Sequence, residues 1–516
     1  MAMKLPLFPR MARLLPALLA SALLAGCAVS ALDSAPADPS QPWTPEASSS
    51  TNAAPEAAVA DGPRKPVFSV PADPEVVALQ APAPIEPNKT YGLAELIDIA
   101  QTQNPATRVA WQQARQMALA SGMVAATYLP LITANVIGGY QKLSSPLPVS
   151  IGNINQVSTS IDGISPQIAL QWLVFDFGQR GALHEVAQHN ATGANLLFNG
   201  VHQKIIYDVT RAYFLHGAAR SRVTLAEQNL GNSRKIEDAA QERMQKGLGT
   251  SVDVAQARQQ VAQARFGLVQ AQGGERDAYQ ALLGAMGISP LTALKVREAN
   301  GRRLPESVGA PTERMIKAAL AQRPDVLASF QALKATQAGI TAAQVEFLPK
   351  VFLGAVAATG NTNLSATGLP TIGQQSSASG VMVGATMPIY DGGLRAAQLK
   401  NAESLSAASA ATFQQVRDAA AREIVVSAHT LRSALASYQA ATALASAAAV
   451  TYDAALEAYR NGVGNITVAT AADSGLLTAR QAQSDAHAAA LVAAANLAFV
   501  LGAMTSSETP AALIAR

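Results

Sequence analysis

Apolar residues recur along this chain with two periods, and the periods alternate in blocks. From Tyr91 to Ile97 the pattern is that of a short amphipathic helix. Asn104-Pro105 breaks it and restarts a second helix to about Ala126, which Tyr128-Leu129-Pro130 ends. A period of two then takes over. Ile132, Ala134, Val136 and Tyr140 alternate with Thr133, Asn135 and Gln141. After a polar, Ser/Asn/Pro-rich stretch, Ile168, Leu170, Trp172 and Val174 alternate with Gln167, Ala169 and Gln171. This predicts two strands, about 130–142 and 166–175, joined by a long loop. From about Gly178 to Lys246 no proline interrupts an Ala/Gln/charge-rich run. That run predicts one very long helix, or two in series, of roughly 100 Å at about 1.5 Å per residue. Asp176 stands where it can cap the start. Gly247-Leu248-Gly249-Thr250 predicts a tight turn, and a second long helix runs to about Met286. On it Val254, Ala257, Val261, Ala264, Leu268 and Ala271 step by three and four, a heptad seam of small residues.

The whole block recurs. Phe175-Asp176-Phe177-Gly178-Gln179-Arg180 is answered 215 positions later by Tyr390-Asp391-Gly392-Gly393-Leu394-Arg395. At the same offset Gly247-Leu248-Gly249 is answered by Gly462-Val463-Gly464, followed by Asn465. Phe347-Leu348-Pro349 echoes Tyr128-Leu129-Pro130, and Leu501-Gly502-Ala503-Met504 echoes Leu283-Gly284-Ala285-Met286. A second pair of strands is predicted near 350–360 and 380–389. A second hairpin is predicted over about 392–503, turning at 462–465, with its seam at Ala469, Ala472, Leu476, Ala479, Gln483 and Ala486. A repeat of roughly 200 residues is too long for a solenoid unit. It predicts one pseudo-symmetric architecture with a first half at 89–290, a connector at 291–311, a second half at 312–505 and a tail at 506–516.

Strands of about ten residues with one apolar face fit an outer-membrane hairpin, and a soluble sandwich hairpin carries the same pattern. On the membrane reading, four strands cannot close a barrel, and an open sheet edge cannot face lipid with its backbone groups unsatisfied. Other copies of the chain must then complete the sheet.

The ends carry different signals. Lys4, Arg10 and Arg13 precede an apolar run from Leu14 to Leu24. This is the form of a secretory signal and is too short for a spanning helix. It ends in Leu24-Ala25-Gly26-Cys27, which resembles the bacterial lipoprotein processing box. Cys27 is the only cysteine, so an internal disulfide and a cysteine metal site are excluded. The expected mature chain begins at a lipidated Cys27, and Ala28 in place of an aspartate points to outer-membrane sorting. Residues 27–88, rich in Pro, Ala, Ser and Asp, are expected to form a flexible anchored linker. Loss of residues 1–26 leaves 35 Lys+Arg against 35 Asp+Glu, so no nucleic-acid footprint remains. The six histidines are scattered, and His184 and His189 are five apart, unlike a helical metal pair. No nucleophile elbow or phosphate loop is present. Neither an enzyme, a cofactor nor a metal is expected.

Taken together, the Phe/Tyr-Asp-x-Gly-x-Arg turns, the Leu-Pro approach to each first strand, the Gly-x-Gly hairpin turns and the processing box resemble the TolC-like outer-membrane efflux proteins over about residues 90–505. The resemblance implies a mainly α fold with a membrane β-barrel portion, in which a homotrimer shares a 12-stranded barrel continued by a long periplasmic α-helical barrel. It implies a passive conduit for small toxic compounds, anchored in outer-membrane lipid. The partners implied are a periplasmic membrane-fusion adaptor and, through it, an inner-membrane pump. The adaptor-docking tips would be Gly247, Leu248, Gly249 and Thr250 with Gly462, Val463, Gly464 and Asn465. Asp176, Gly178, Asp391 and Gly393 would form the strand-to-helix turns. The family's best-known member places two entrance aspartates just past the second turn, where this chain has Val468 and Ala471. The acids available for an entrance are Asp253 and Asp473. Two other readings share much of the pattern: a conduit for one-step protein secretion, and an anchored coiled-coil stalk without a channel. The duplicated strands argue against the stalk.

Overall fold

The computed structural model describes residues 76, 83, 85–86, 88–151, 154–297, 304–366 and 370–504. The signal segment, Cys27, nearly all of the 27–88 linker and the tail 506–516 lie outside the described residues. The chain divides into Met1–Gln80 and Ala81–Arg516, and the elements below belong to the second unit.

Its first half opens with β1 (Thr90–Tyr91), α1 (Leu93–Gln103) and α2 (Pro105–Ala126). It continues through β2 (Leu131–Ile151), β3 (Ile154–Phe175), α3 (Gln179–Gln245) and α4 (Ser251–Met286). After β4 (Lys295–Val296) the second half repeats the order with α5 (Glu313–Leu320), α6 (Pro324–Val345), β5 (Lys350–Ala366), β6 (Ile372–Thr386), α7 (Leu394–Arg460) and α8 (Ile466–Val500). The two longest helices, α3 and α7, each have 67 residues. At about 1.5 Å per residue that is roughly 100 Å of continuous helix. Pro105 and Pro324 open α2 and α6 at a position where no intrahelical N–H is needed. No helix among the described residues is long and apolar enough to cross a membrane.

The four long strands form one antiparallel sheet in the order β2-β3-β5-β6, which leaves β2 and β6 as edges. Register divides its residues into two faces. One row runs Ile132, Leu170, Ala355, Val381, and the row toward the corners holds Trp172, Leu353 and Val383. The opposite face carries Asn135, Gln167, Ala358 and Ala378, with Thr133, Ala169, Val356 and Gly380 beside them. The strands also correct the expected loop lengths. Where loops were expected beyond residues 142 and 360, pairing continues to Ile151↔Ile154 and to Leu364↔Ile372. The apolar period stops near Tyr140, but β pairing needs only backbone partners and compatible side chains. Ser144 and Ser158, 2.7 Å apart, carry the ladder on with hydroxyls.

The corner between sheet and helix is built twice from the same groups. Gly178, at φ 96°, is the N-cap of α3, and Gly393, at φ 89°, is the N-cap of α7. This left-handed backbone suits glycine. Asp176 is therefore not the cap residue itself; it caps from two positions upstream. Its Oδ2 accepts from the Arg180 N–H at 2.9 Å and from Arg180 Nε at 2.7 Å, and its Oδ1 accepts from the Gly178 N–H at 3.2 Å. Arg180 then donates to Thr127 O and Val174 O and stacks over the Tyr128 ring. One guanidinium thus ties the end of α2, the end of β3 and the start of α3. Asp391, Arg395 and Phe347 repeat this arrangement.

The main core lies beside the middle of α3, where Leu96, Ile97, Val209, Phe214, Leu282, Leu283, Met286, Leu491 and Ala495 pack together. The parallel pair β1–β4 closes beside it (Thr90↔Lys295, Tyr91↔Val296), a contact too short to leave a sequence period.

Candidate functional site at the hairpin tips

Each helical hairpin ends in a turn whose geometry is dictated by its glycines. Gly247 and Gly462 follow the C-cap residues Lys246 and Asn461 of the two long helices, with φ of 74° and 82°. In the first tip the Leu248 N–H returns to Arg243 O at 2.8 Å and the Gly247 N–H to Met244 O at 3.0 Å. In the second, the Val463 N–H returns to Ala458 O and the Gly462 N–H to Tyr459 O. This is the Schellman pattern, which satisfies helix-end carbonyls and favours an apolar residue where Leu248 and Val463 stand. The third tip position has a separate reason to be glycine. A Cβ on Gly249 would sit 3.1 Å from Arg243 Cβ and Met244 N, and one on Gly464 3.1 Å from Ala458 C and Tyr459 N.

Turn geometry accounts for an apolar residue at Leu248 and Val463 but not for its solvation. Leu248 is 69% exposed and Val463 84%. Val252 and Val468, just beyond the turns, are exposed as well. Each tip therefore presents a small apolar knob on a rigid turn.

The return helices start differently. Thr250 and Asp253 form a reciprocal capping box: the Asp253 N–H donates to Thr250 Oγ1 at 3.1 Å and the Thr250 N–H to Asp253 Oδ2 at 3.0 Å. Asn465 caps α8 by accepting from the Val468 N–H at 2.9 Å. Val468, at the position equivalent to Asp253, returns no such bond. Asp253 thus has a structural task at the very place where an entrance acid was expected.

Asp473 departs from the expectation of an entrance acid. It has no exposed surface and turns from α8 toward α3, where Ser233 Oγ donates to its Oδ2 at 2.7 Å. The rotation of α8 decides this. Asp473 lies one helical turn from buried Ala469 and from buried Leu476, on the enclosed side of α8 rather than on its solvated face. Burial pushes its carboxyl above the ordinary carboxylate range, against the opposing effect of Ser233, Asn232 and Gln260.

A residue that sequence reasoning missed joins the two tips. Arg243 donates through Nη1 to Tyr459 O and through Nη2 to Leu248 O at 3.1 Å, and its guanidinium lies 4.8 Å over the Tyr459 ring. Tyr459 is buried, and burial raises its phenol pKa, with Asp253 acting in the same direction. The repeat hid Arg243, because its counterpart 215 residues later is Ala458. Ile236, Ala240, Val254, Ala257, Tyr452, Leu456, Ile466, Ala469 and Leu476 form the apolar cluster behind both turns. Among the described residues no group of three or more His, Cys, Asp or Glu is placed to hold a metal ion.

Comparison with known proteins places this geometry. The family model described as outer membrane efflux protein matches residues 96–288 and 315–503, one match for each half. Protein CyaE of Bordetella pertussis is 26% identical over 438 residues, covering 84% of this chain and 89% of that protein. Outer membrane protein OprJ of Pseudomonas aeruginosa is 26% identical over 382 residues, covering 72% of this chain and 76% of that protein. Among solved structures, the CmeC outer membrane channel of Campylobacter jejuni superposes with a TM-score of 0.68 at 17% identity, over 82% of this chain and 88% of that one. Both halves of the chain, with their sheet, corners and long hairpins, thus have their counterpart in known outer-membrane channels, and the chain belongs to the outer membrane efflux protein family.

Proposed function

We propose that this chain is one protomer of a trimeric, passive outer-membrane conduit. The observation that carries this reading is the sheet: four long strands, two open edges, an apolar row of Ile132, Leu170, Ala355 and Val381 on one face, and Asn135, Gln167 and Gly380 on the other. An open edge in lipid leaves backbone donors and acceptors without partners. Pairing β6 of one copy with β2 of the next removes every edge, and three copies supply twelve strands. The apolar face then meets lipid, and the face with Asn135, Gln167 and Gly380 lines the lumen. A helical stalk would have no use for such a sheet. The corners at Asp176 and Asp391 turn the strands directly into α3 and α7, so the lumen continues between helices.

In this reading Cys27 carries the lipid anchor, each buried methylene adding about 0.8 kcal/mol of membrane affinity. The hairpin tips face the periplasm and dock a membrane-fusion adaptor, which links the conduit to an inner-membrane pump. The exposed Leu248 and Val463 support that role, since an apolar side chain held on a rigid turn suits a partner surface. The cargo is small and toxic to the cell, and its identity is set by the pump.

The test is the double variant Leu248→Asp, Val463→Asp. Both side chains are solvated, so the trimer should fold and insert as wild type does. Adaptor crosslinking at the tips should fall, and efflux of pump substrates should be lost. Undiminished crosslinking with wild-type resistance would remove the tips from the docking surface. Mass spectrometry of the mature N-terminal peptide checks the anchor: an unmodified Cys27, or a chain starting elsewhere, contradicts it.

A further inference from the structure

The two helical hairpins pack on each other chiefly through α3 and α8. Asp473 stands in that contact, fully enclosed. Its Oδ2 is held by Ser233; its Oδ1 meets no donor in good hydrogen-bond geometry, although the side chains of Asn232 and Gln260 lie near enough to favour the charged form. Two more buried oxygens nearby also lack partners: Asn229 Oδ1, one helical turn from Ser233 on α3, and Tyr452 Oη on α7. Burial, with the Asp473 carboxyl acting in the same direction, pushes the Tyr452 phenol up to about 12. From α3 the groups bearing on the carboxyl are Asn232 and Ser233, and from α4 it is Gln260. From α7, Tyr452 is the group on which the carboxyl acts. The charged groups of this region, Arg460 and Asp453 of α7 and Arg480 of α8, bear on Tyr452, and no cation is among the influences on Asp473.

The duplicated scaffold does not require this acid. The position 215 residues earlier is Arg258 on α4, which is solvated and paired with Glu237 at 3.4 Å. A buried carboxylate with no cation beside it is costly in this setting, and a neutral carboxyl costs much less. Protonation from solvent removes the charge from this enclosed layer.

We propose that Asp473 is a proton-binding site that holds the two hairpins of a protomer together when occupied and loosens them when empty. The site does not depend on what the tips dock. Its sign follows from burial. The folded protein prefers the neutral carboxyl, so the stabilisation is complete below the ordinary carboxylate range and is lost as pH rises through the raised value.

Hydrogen exchange on the full protein in detergent tests it, with residues 229–240 of α3 and 470–480 of α8 followed across pH. The reference is Asp473→Asn, which keeps the shape but cannot titrate. Relative to that variant, wild-type protection should fall by up to about tenfold per pH unit across the window between the two pKa values, then level off. Ser233→Ala removes a donor that favours the carboxylate, so it should move the fall to higher pH. Parallel profiles for wild type and Asp473→Asn would overturn the proposal. Should Asp473→Asn fail to assemble, Ser233→Ala decides alone, and an unmoved profile overturns the proposal. Protection that tracks sodium or potassium concentration and ignores pH would put a cation on these oxygens, and that also overturns it.

Discussion

Asp176 and Asp391 hold the same corner in the two halves, yet one is sealed and the other is not. The Asp176 side chain is 7% exposed and that of Asp391 is 23%. The contrast grows along the helices. The first tip starts its return helix with a reciprocal box and the second with a single cap. Arg258 faces solvent where Asp473 is buried. The comparison teaches which features the backbone demands. A strand that turns into a helix through left-handed glycines needs a carboxylate and a guanidinium in both halves. The helix faces are free to differ, because α3 packs against α2, α4, α6 and α8, whereas α7 packs mainly on α6 and α8.

The largest expected effects test the corners. Asp176→Asn leaves Arg180 buried without its counter-charge and should cost about 3–5 kcal/mol, read by unfolding in detergent. Asp391→Asn, nearer to solvent, should cost clearly less than Asp176→Asn. Equal losses would break the distinction. The pH dependence has a definite sign. Burial raises the Asp176 carboxyl, but the bonds from Arg180 and Gly178 outweigh it and hold the group below its ordinary value. Its stabilisation is therefore present above the ordinary carboxylate range and lost as pH falls through the depressed value, and Asp176→Asn should flatten that acid loss.

At the sheet the halves should behave alike. Val136→Arg and Val383→Arg each place a charge on the apolar face and should each cost about 2–4 kcal/mol of assembled trimer, measured by trimer yield in membranes. Asn135→Arg, one residue away on the other face, should spare assembly. Equal tolerance of Val136→Arg and Asn135→Arg would reverse the assignment of the faces.

The smallest effects lie at the caps. Asn465→Ala should cost about 1 kcal/mol, and Thr250→Ala, which loses a two-way box, up to about 2 kcal/mol. The order of their melting temperatures checks this.

Much of this was legible beforehand because duplication repeats each signal. The corner motif and the Gly-x-Gly turns recur 215 positions apart and the entries to the first strands 219 apart, and the structure gives each pair matching geometry. The strand lengths were not legible past Tyr140, because side-chain alternation fades there while backbone pairing does not. Asp473 misled because nearness to the turn does not fix the rotation of α8, which buries Asp473 beside Ala469 and Leu476. Arg243 was hidden because a contact between two hairpins has no local period.

Single-channel recording of the purified protein in planar bilayers tests the central claim most directly. A conduit with a lipid-facing apolar surface and a polar lumen should give discrete conductance steps. Asn135→Arg should change their size and ion preference, while Leu248→Asp, far from the sheet on a solvated turn, should leave the size of the open step unchanged. Inserted, correctly assembled protein that passes no current, or currents indifferent to Asn135→Arg, would contradict the account.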